Sequence, residues 1–87
     1  MTSELERFKA RLRSLLASLS DLLPDDALQA ASRLIEHNEG GEALLVIAHV
    51  IVEGGIDVPR SAIRELHDLG DGLVEEWPPG FDSVASD

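Results

Sequence analysis

Eighty-seven residues carry 17 Asp and Glu against seven Lys and Arg, a formal charge of −10; so acidic a body repels nucleic acid and anionic membrane and attracts basic protein surfaces. There is no cysteine, so neither a disulfide nor a thiolate metal site is available. An apolar content of 44% with only Phe8, Trp77 and Phe81 aromatic implies one globular domain with an aliphatic core, burying roughly 60–65% of the surface its unfolded chain exposes.

The first segment has apolar residues at Leu5, Phe8, Leu12, Leu15, Leu19 and Leu22. Alternating steps of three and four put them on one helical stripe, widened by Leu16 and Leu23. Ser3 and Glu6 form a capping-box pair, which predicts a helix starting near Glu4. Pro24 ends it, because the residue before a proline disfavours helical dihedrals. The stripe fits a bundle helix facing its own core; a homodimer seam is the alternative.

Pro24, Asp25 and Asp26 open a second helix, with proline in the first turn and acids at the positive end of the dipole. Ala27, Leu28, Ala31, Leu34 and Ile35 form its apolar face, and His37 and Asn38 close it before the turn Glu39-Gly40-Gly41. The third segment, Glu42 to Glu53, is rich in β-branched residues that suit a buried strand. Its length, its acidic entry and the Gly54-Gly55 stop favour a central helix instead. Ile56-Asp57-Val58 is an extended connector. Pro59 starts a fourth helix with Ala62, Ile63, Leu66, Leu69 and Leu73 at helical spacing, ending near Gly70 or running on through Val74. The expected architecture is all-α: a compact bundle of about four helices over residues 1–76, then a Pro-rich, flexible tail over 77–87. Trp77 is the tail residue placed to fold back on the core.

The opening residues mix Leu with Arg, Lys, Glu and Ser, unlike a signal peptide. The longest apolar run, Ala43 to Ala48, is too short to span a bilayer. The expected compartment is the cytoplasm.

No catalytic constellation stands out. His37, His49 and His67 have no metal-ligand spacing, and His37 between Glu36 and Glu39 reads as a polar helix end. His49 shares a helix face with Glu42 and Glu53 and reads as its wet side; His67 beside Asp68 reads as an exposed pair. There is no G-x-S-x-G elbow, no phosphate loop and no calcium-loop spacing. No cofactor, no metal and no enzymatic activity are expected. Four of the seven cations, Arg7, Lys9, Arg11 and Arg13, lie together near the start. They do not share one face, which argues against a phosphate footprint and for attraction to acids on other helices. From Ser14 onward there are 15 Asp and Glu against Arg33, Arg60 and Arg64. Two acidic clusters result. One is Glu36, Glu39 and Glu42. The other is Asp68, Asp71, Glu75 and Glu76, where acids oppose the helix dipole.

The Leu-rich first helix, the helix ending in Glu36-His37, the run Glu39-Gly40-Gly41-Glu42-Ala43-Leu44-Leu45, the connector Ile56-Asp57-Val58-Pro59, and a last helix with Ile63, Leu66 and Leu69 make a pattern similar to the small helical immunity proteins of the MafI type. The chain departs from it in its β-branched third helix and its Trp-Pro-Pro tail. The resemblance implies a partner: a cognate secreted or contact-delivered toxin, commonly a nuclease, that the protein binds and neutralises. It supplies no catalytic residues. The expected partner surface comprises Glu36, Glu39, Glu42, Asp68, Asp71, Glu75, Glu76 and Trp77, with Leu73, Val74 and Trp77 as apolar anchors. The expected state is a monomer or weak homodimer. The alternative function is a non-enzymatic helical interaction or dimerisation module.

Overall fold

Helix α1 spans Glu4–Ser18, α2 Asp25–Glu36, α3 Gly40–Gly54 and α4 Arg60–Gly70. A computed structural model of the chain describes residues 3–86; Met1, Thr2 and Asp87 lie outside them. The expected four-helix, all-α bundle is the observed fold. Each helix packs on its neighbours in the order α1, α2, α3, α4 and back to α1. The short connections make them run antiparallel.

Local chemistry sets the helix ends. The Ser3 hydroxyl accepts the Glu6 N–H at 3.1 Å and caps α1. The stripe predicts a helix up to Pro24, yet α1 stops at Ser18. The Ser18 hydroxyl donates to the Leu15 carbonyl at 2.7 Å, one of the local bonds by which serine competes with the helix ladder. The next five residues turn irregularly, burying Leu19 and Leu23 but leaving Leu22 exposed. At the end of α2, Asn38 takes a left-handed conformation (φ 60). The Glu39 N–H then reaches the Leu34 carbonyl and the Asn38 N–H the Ile35 carbonyl, a paired closure that reverses the chain in a few residues. Gly55 does the same for α3.

The core is aliphatic. Leu12, Leu15, Leu16 and Leu19 of the first segment are buried together with Ala31 and Ile35 of α2. The middle of the α1 stripe is therefore spent inside the chain's own bundle, while Leu5 and Leu22 at its two ends stay exposed. The third segment is a helix, as its length and stops predict, and Ala43, Leu44, Ile47, Ala48 and Ile51 are each no more than 1% exposed. Burial compensates the modest helix cost of its β-branched residues. Glu42, His49 and Glu53 stay on the exposed side. Helix α4 ends at Gly70, the earlier of its two expected stops.

The packed body runs past Glu76, the expected end of the domain. Phe81, in a 3-10 turn over Phe81–Ser83, is 2% exposed and belongs to the core. Trp77 stacks on Phe81 with ring centroids 4.9 Å apart, and the His67 ring meets both. His67 Nε2–H donates to Asp82 Oδ1 at 2.7 Å, so His67 pairs across the strap and not with its neighbour Asp68. The connector residues Val58–Pro59 form a strand β1, which pairs in parallel with β2 at Ala85–Ser86. The physical reason is the shortage of large side chains in the bundle: an aromatic pair from beyond α4 supplies apolar volume that the aliphatic helices lack. The radius of gyration, 12.1 Å, equals the value of about 12 Å for a compact chain of this length.

Phe81→Ala is expected to lower the unfolding free energy by about 3 kcal/mol, read by urea denaturation with Trp77 fluorescence as the probe. A loss near zero would mean that the strap contributes nothing to the fold.

Candidate functional site

Because the helices alternate in direction, the start of α1, the end of α2, the start of α3 and the turn after α4 share one end of the bundle. A groove of about 510 Å³ opens there. Its floor is apolar: Leu5 and Phe8 from α1, Ile35 from α2, Leu45 from α3, and Leu73 from the turn after α4. Carboxylates stand around it, Glu4 on α1, Glu39 in the α2–α3 turn and Glu42 in the first turn of α3, with Lys9 as the cation of the lining. A second depression shares Glu4, Phe8 and Leu73 with the first and adds Arg7, Arg11, Asp68, Leu69 and Asp71. Leu73 is thus a ridge, with the Glu39 cluster on one side and the Asp68 cluster on the other.

Backbone geometry holds that ridge in place. The Leu73 and Val74 N–H groups both bond the Gly70 carbonyl, at 2.9 and 2.8 Å, and Gly72 provides the positive φ the turn requires. A Cβ at Gly41 would stand 3.6 Å from Leu73 Cβ, so the turn after α4 rests against the α2–α3 turn. A Cβ at Gly40 would clash with Phe8 Cε2, so glycine there lets Phe8 seat at the floor. Leu5 and Leu73 remain 48% and 55% exposed, and with Leu22 they are the large exposed hydrophobic residues among those described.

The expected partner residues divide. Glu39, Glu42, Asp68 and Asp71 come together around Leu73. Glu36 does not join them. It accepts two bonds from the Arg13 guanidinium, at 2.6 and 2.9 Å. That hydrogen bond, with the nearby charges of Arg13, Lys9 and His37, holds the Glu36 carboxyl below its usual value. Glu75 and Glu76 are exposed beyond the ridge and line neither depression. Trp77 is half-buried and turned to the fold, so close to Gly70 that a Cβ there would meet Trp77 Cζ2 at 2.5 Å. Val74 is also partly buried, against the core. Leu5, Phe8, Leu45, Glu4 and Lys9 are site residues that the sequence analysis assigns to the core stripe or leaves unassigned. Their signal was positional: Leu5 lies in the first turn of α1, ahead of the bulk of the packed helix.

Two of the four N-terminal cations are used on other helices. Arg13 pairs with Glu36 of α2, and Arg11 with Glu65 of α4. By contrast Glu4, Glu39, Glu42, Asp68 and Asp71 have no ion pair or side-chain hydrogen bond among the described residues. A slightly larger depression between α1 and α4 is lined mainly by Ala10, Ser14, Ser18, Ser61 and the Arg11–Glu65 pair. It offers no exposed large apolar side chain. Among the described residues no three His, Asp or Glu side chains are grouped to hold a metal ion, and no helix is long and apolar enough to cross a membrane. No protein-family model matches the chain, and no curated protein and no solved structure matches it.

The Glu36 carboxyl is expected to titrate below an ordinary glutamate, and Arg13→Gln to move it back up, both read by NMR. A depressed carboxyl stabilises the fold above its unfolded pKa, and that contribution disappears as pH falls through the folded pKa. The Arg13→Gln variant should therefore lose stability near neutral pH and approach the parent protein in acid. An unchanged Glu36 titration in the variant would contradict the pairing.

Proposed function

We propose that the chain is a non-catalytic immunity protein that binds and neutralises a cognate toxin with a basic surface, of nuclease type, inside the cell that makes it. The observation that carries this reading is the Leu73 ridge, an exposed apolar centre with unpaired carboxylates on both sides. A nuclease presents cations to phosphate, so an inhibitor presenting carboxylates meets a complementary field. The field accelerates encounter, while the apolar centre supplies affinity once water is excluded. The resemblance to MafI-type immunity proteins points the same way. The dimerisation alternative has less of its seam available, because Leu12, Leu15 and Leu19 are buried in the chain's own core while Leu5 and Leu22 at the ends of the stripe stay exposed.

Co-expression with a basic toxin domain encoded beside this chain is expected to restore growth of cells that the toxin alone kills. The association rate of the pair should fall by about tenfold or more from low to high salt, and Glu39→Lys with Glu42→Lys should slow it at low salt. A rate indifferent to salt would remove electrostatic capture. Toxicity undiminished by the protein would remove the immunity reading.

A further inference from the structure

Resting on the reading of this end of the bundle as a protein-binding surface, we infer that the groove beside Leu73 receives a cationic amphipathic helix of the partner. One large apolar side chain of that helix seats between Phe8, Leu45 and Leu73. The groove has two walls of different origin: α1 contributes Leu5, Glu4 and Lys9, and the α2–α3 turn with the start of α3 contributes Glu39 and Glu42. The complement of an apolar floor with Glu39 and Glu42 on one side and Glu4 on the other is an apolar stripe flanked by cations, most of them facing the α2–α3 turn. A helix presents that arrangement on one side. A strand puts alternate residues on opposite faces, so its cations would lie on the face turned away from the apolar one.

Charge selects among occupants of the same shape. A second copy of this chain would bring a body of charge −10 to a groove that already has three carboxylates and one ammonium in its lining. A phosphate-bearing lipid or nucleic acid would meet the same repulsion. Lys9 does not reverse the sign, being one cation against Glu4, Glu39 and Glu42. The surface is prepared for an occupant in another respect. Exposing Leu5 and Leu73 together leaves apolar area in water that burial under a partner would recover.

The probe is a synthetic Lys/Leu peptide with Leu at i, i+3, i+4 and i+7. It is compared with a shuffled peptide of identical composition and with a Glu/Leu peptide of the same pattern. Affinity is measured by fluorescence anisotropy and the site by amide chemical shifts of the intact protein. The patterned Lys/Leu peptide is expected to bind about tenfold or more tighter than the shuffled one, shifting the amides of Leu5, Gly40, Gly41 and Leu73, while the Glu/Leu peptide does not bind. Leu73→Ser, an exposed change that leaves the core intact, should weaken binding by about tenfold. Glu39→Gln with Glu42→Gln should weaken it and flatten its salt dependence.

Equal binding of patterned and shuffled peptides would overturn the proposal. So would shifts centred on the α1–α4 depression, or concentration-dependent shifts at the groove without peptide, which would indicate self-association. Failure of the parent reading looks different. A protein that binds the patterned peptide through Leu73 yet protects against no toxin retains the groove and loses the immunity role. A Leu5→Ser/Leu73→Ser variant that protects as well as the parent retains the role and loses the groove.

Discussion

Close packing of α3 on α2 is the contact on which the rest of the molecule depends. Ala27 and Ala31 are buried on α2, and Ala43 and Ala48 are buried on α3. Small side chains let helices approach closely, and Ala31 and Ile35 of α2 share one buried cluster with Ala43, Leu44, Ile47, Ala48 and Ile51 of α3. With no cysteine in the chain, this aliphatic packing has to supply what small domains otherwise take from disulfides. The tight reversal at Asn38 makes the packing possible, because it returns the chain antiparallel within a few residues. It also places Glu39 and Glu42 at the end of the bundle, so the element that builds the core also builds half of the acidic rim.

The strap beyond α4 completes the other half. Phe81 enters the core, Trp77 covers Gly70, and His67 is held between the two rings and Asp82. The strap is therefore an anchor as well as a cover. It fixes the far end of a short turn whose near end is the last residue of α4, and Leu73 lies in that turn. A leucine more than half exposed would otherwise sample many positions; here backbone bonds to Gly70 and the docking of Trp77 restrict it. The stability of the fold and the presentation of the ridge are linked through the same few residues.

Electrostatics divides the acids into two populations. Those facing the arginines of α1 are answered within the chain, Glu36 by Arg13 and Glu65 by Arg11. Both pairs are largely exposed, so each contributes little stability. Their larger consequence is distribution: Arg11 and Arg13 are engaged on the helix flanks, and Glu4, Glu39, Glu42, Asp68 and Asp71 around Leu73 have no ion pair among the described residues. Around the Leu73 ridge, Glu39 and Glu42 stand with Glu4 and Lys9 on one side, and Asp68 and Asp71 with Arg7 and Arg11 on the other, so the local balance is acidic but mixed.

The features legible in the sequence are those set by neighbouring residues. Helix starts at Ser3 and Pro24, stops at Asn38, Gly55 and Gly70, and the aliphatic stripes follow from local hydrogen bonding and helical periodicity, which a linear reading captures. The two acidic clusters were legible too, and four of their members do meet. The groove was not legible, because Leu5 and Leu73 lie near opposite ends of the chain and become neighbours only through the antiparallel closure of the bundle. Glu36 and Glu39 are close in sequence yet separated in role, since one turns to Arg13 and the other to the groove. The same limit explains Phe81, whereas the return of Trp77 to the core is expected from the sequence and observed. Pro78, Pro79 and Gly80 read locally as a break in helical structure, and they are one. That the broken segment docks is decided by a hydrophobic vacancy formed by α3 and α4, a long-range fact. Local sequence determined the helices and the sign of the charge; only tertiary packing decided which carboxylates remain free and what apolar surface they surround.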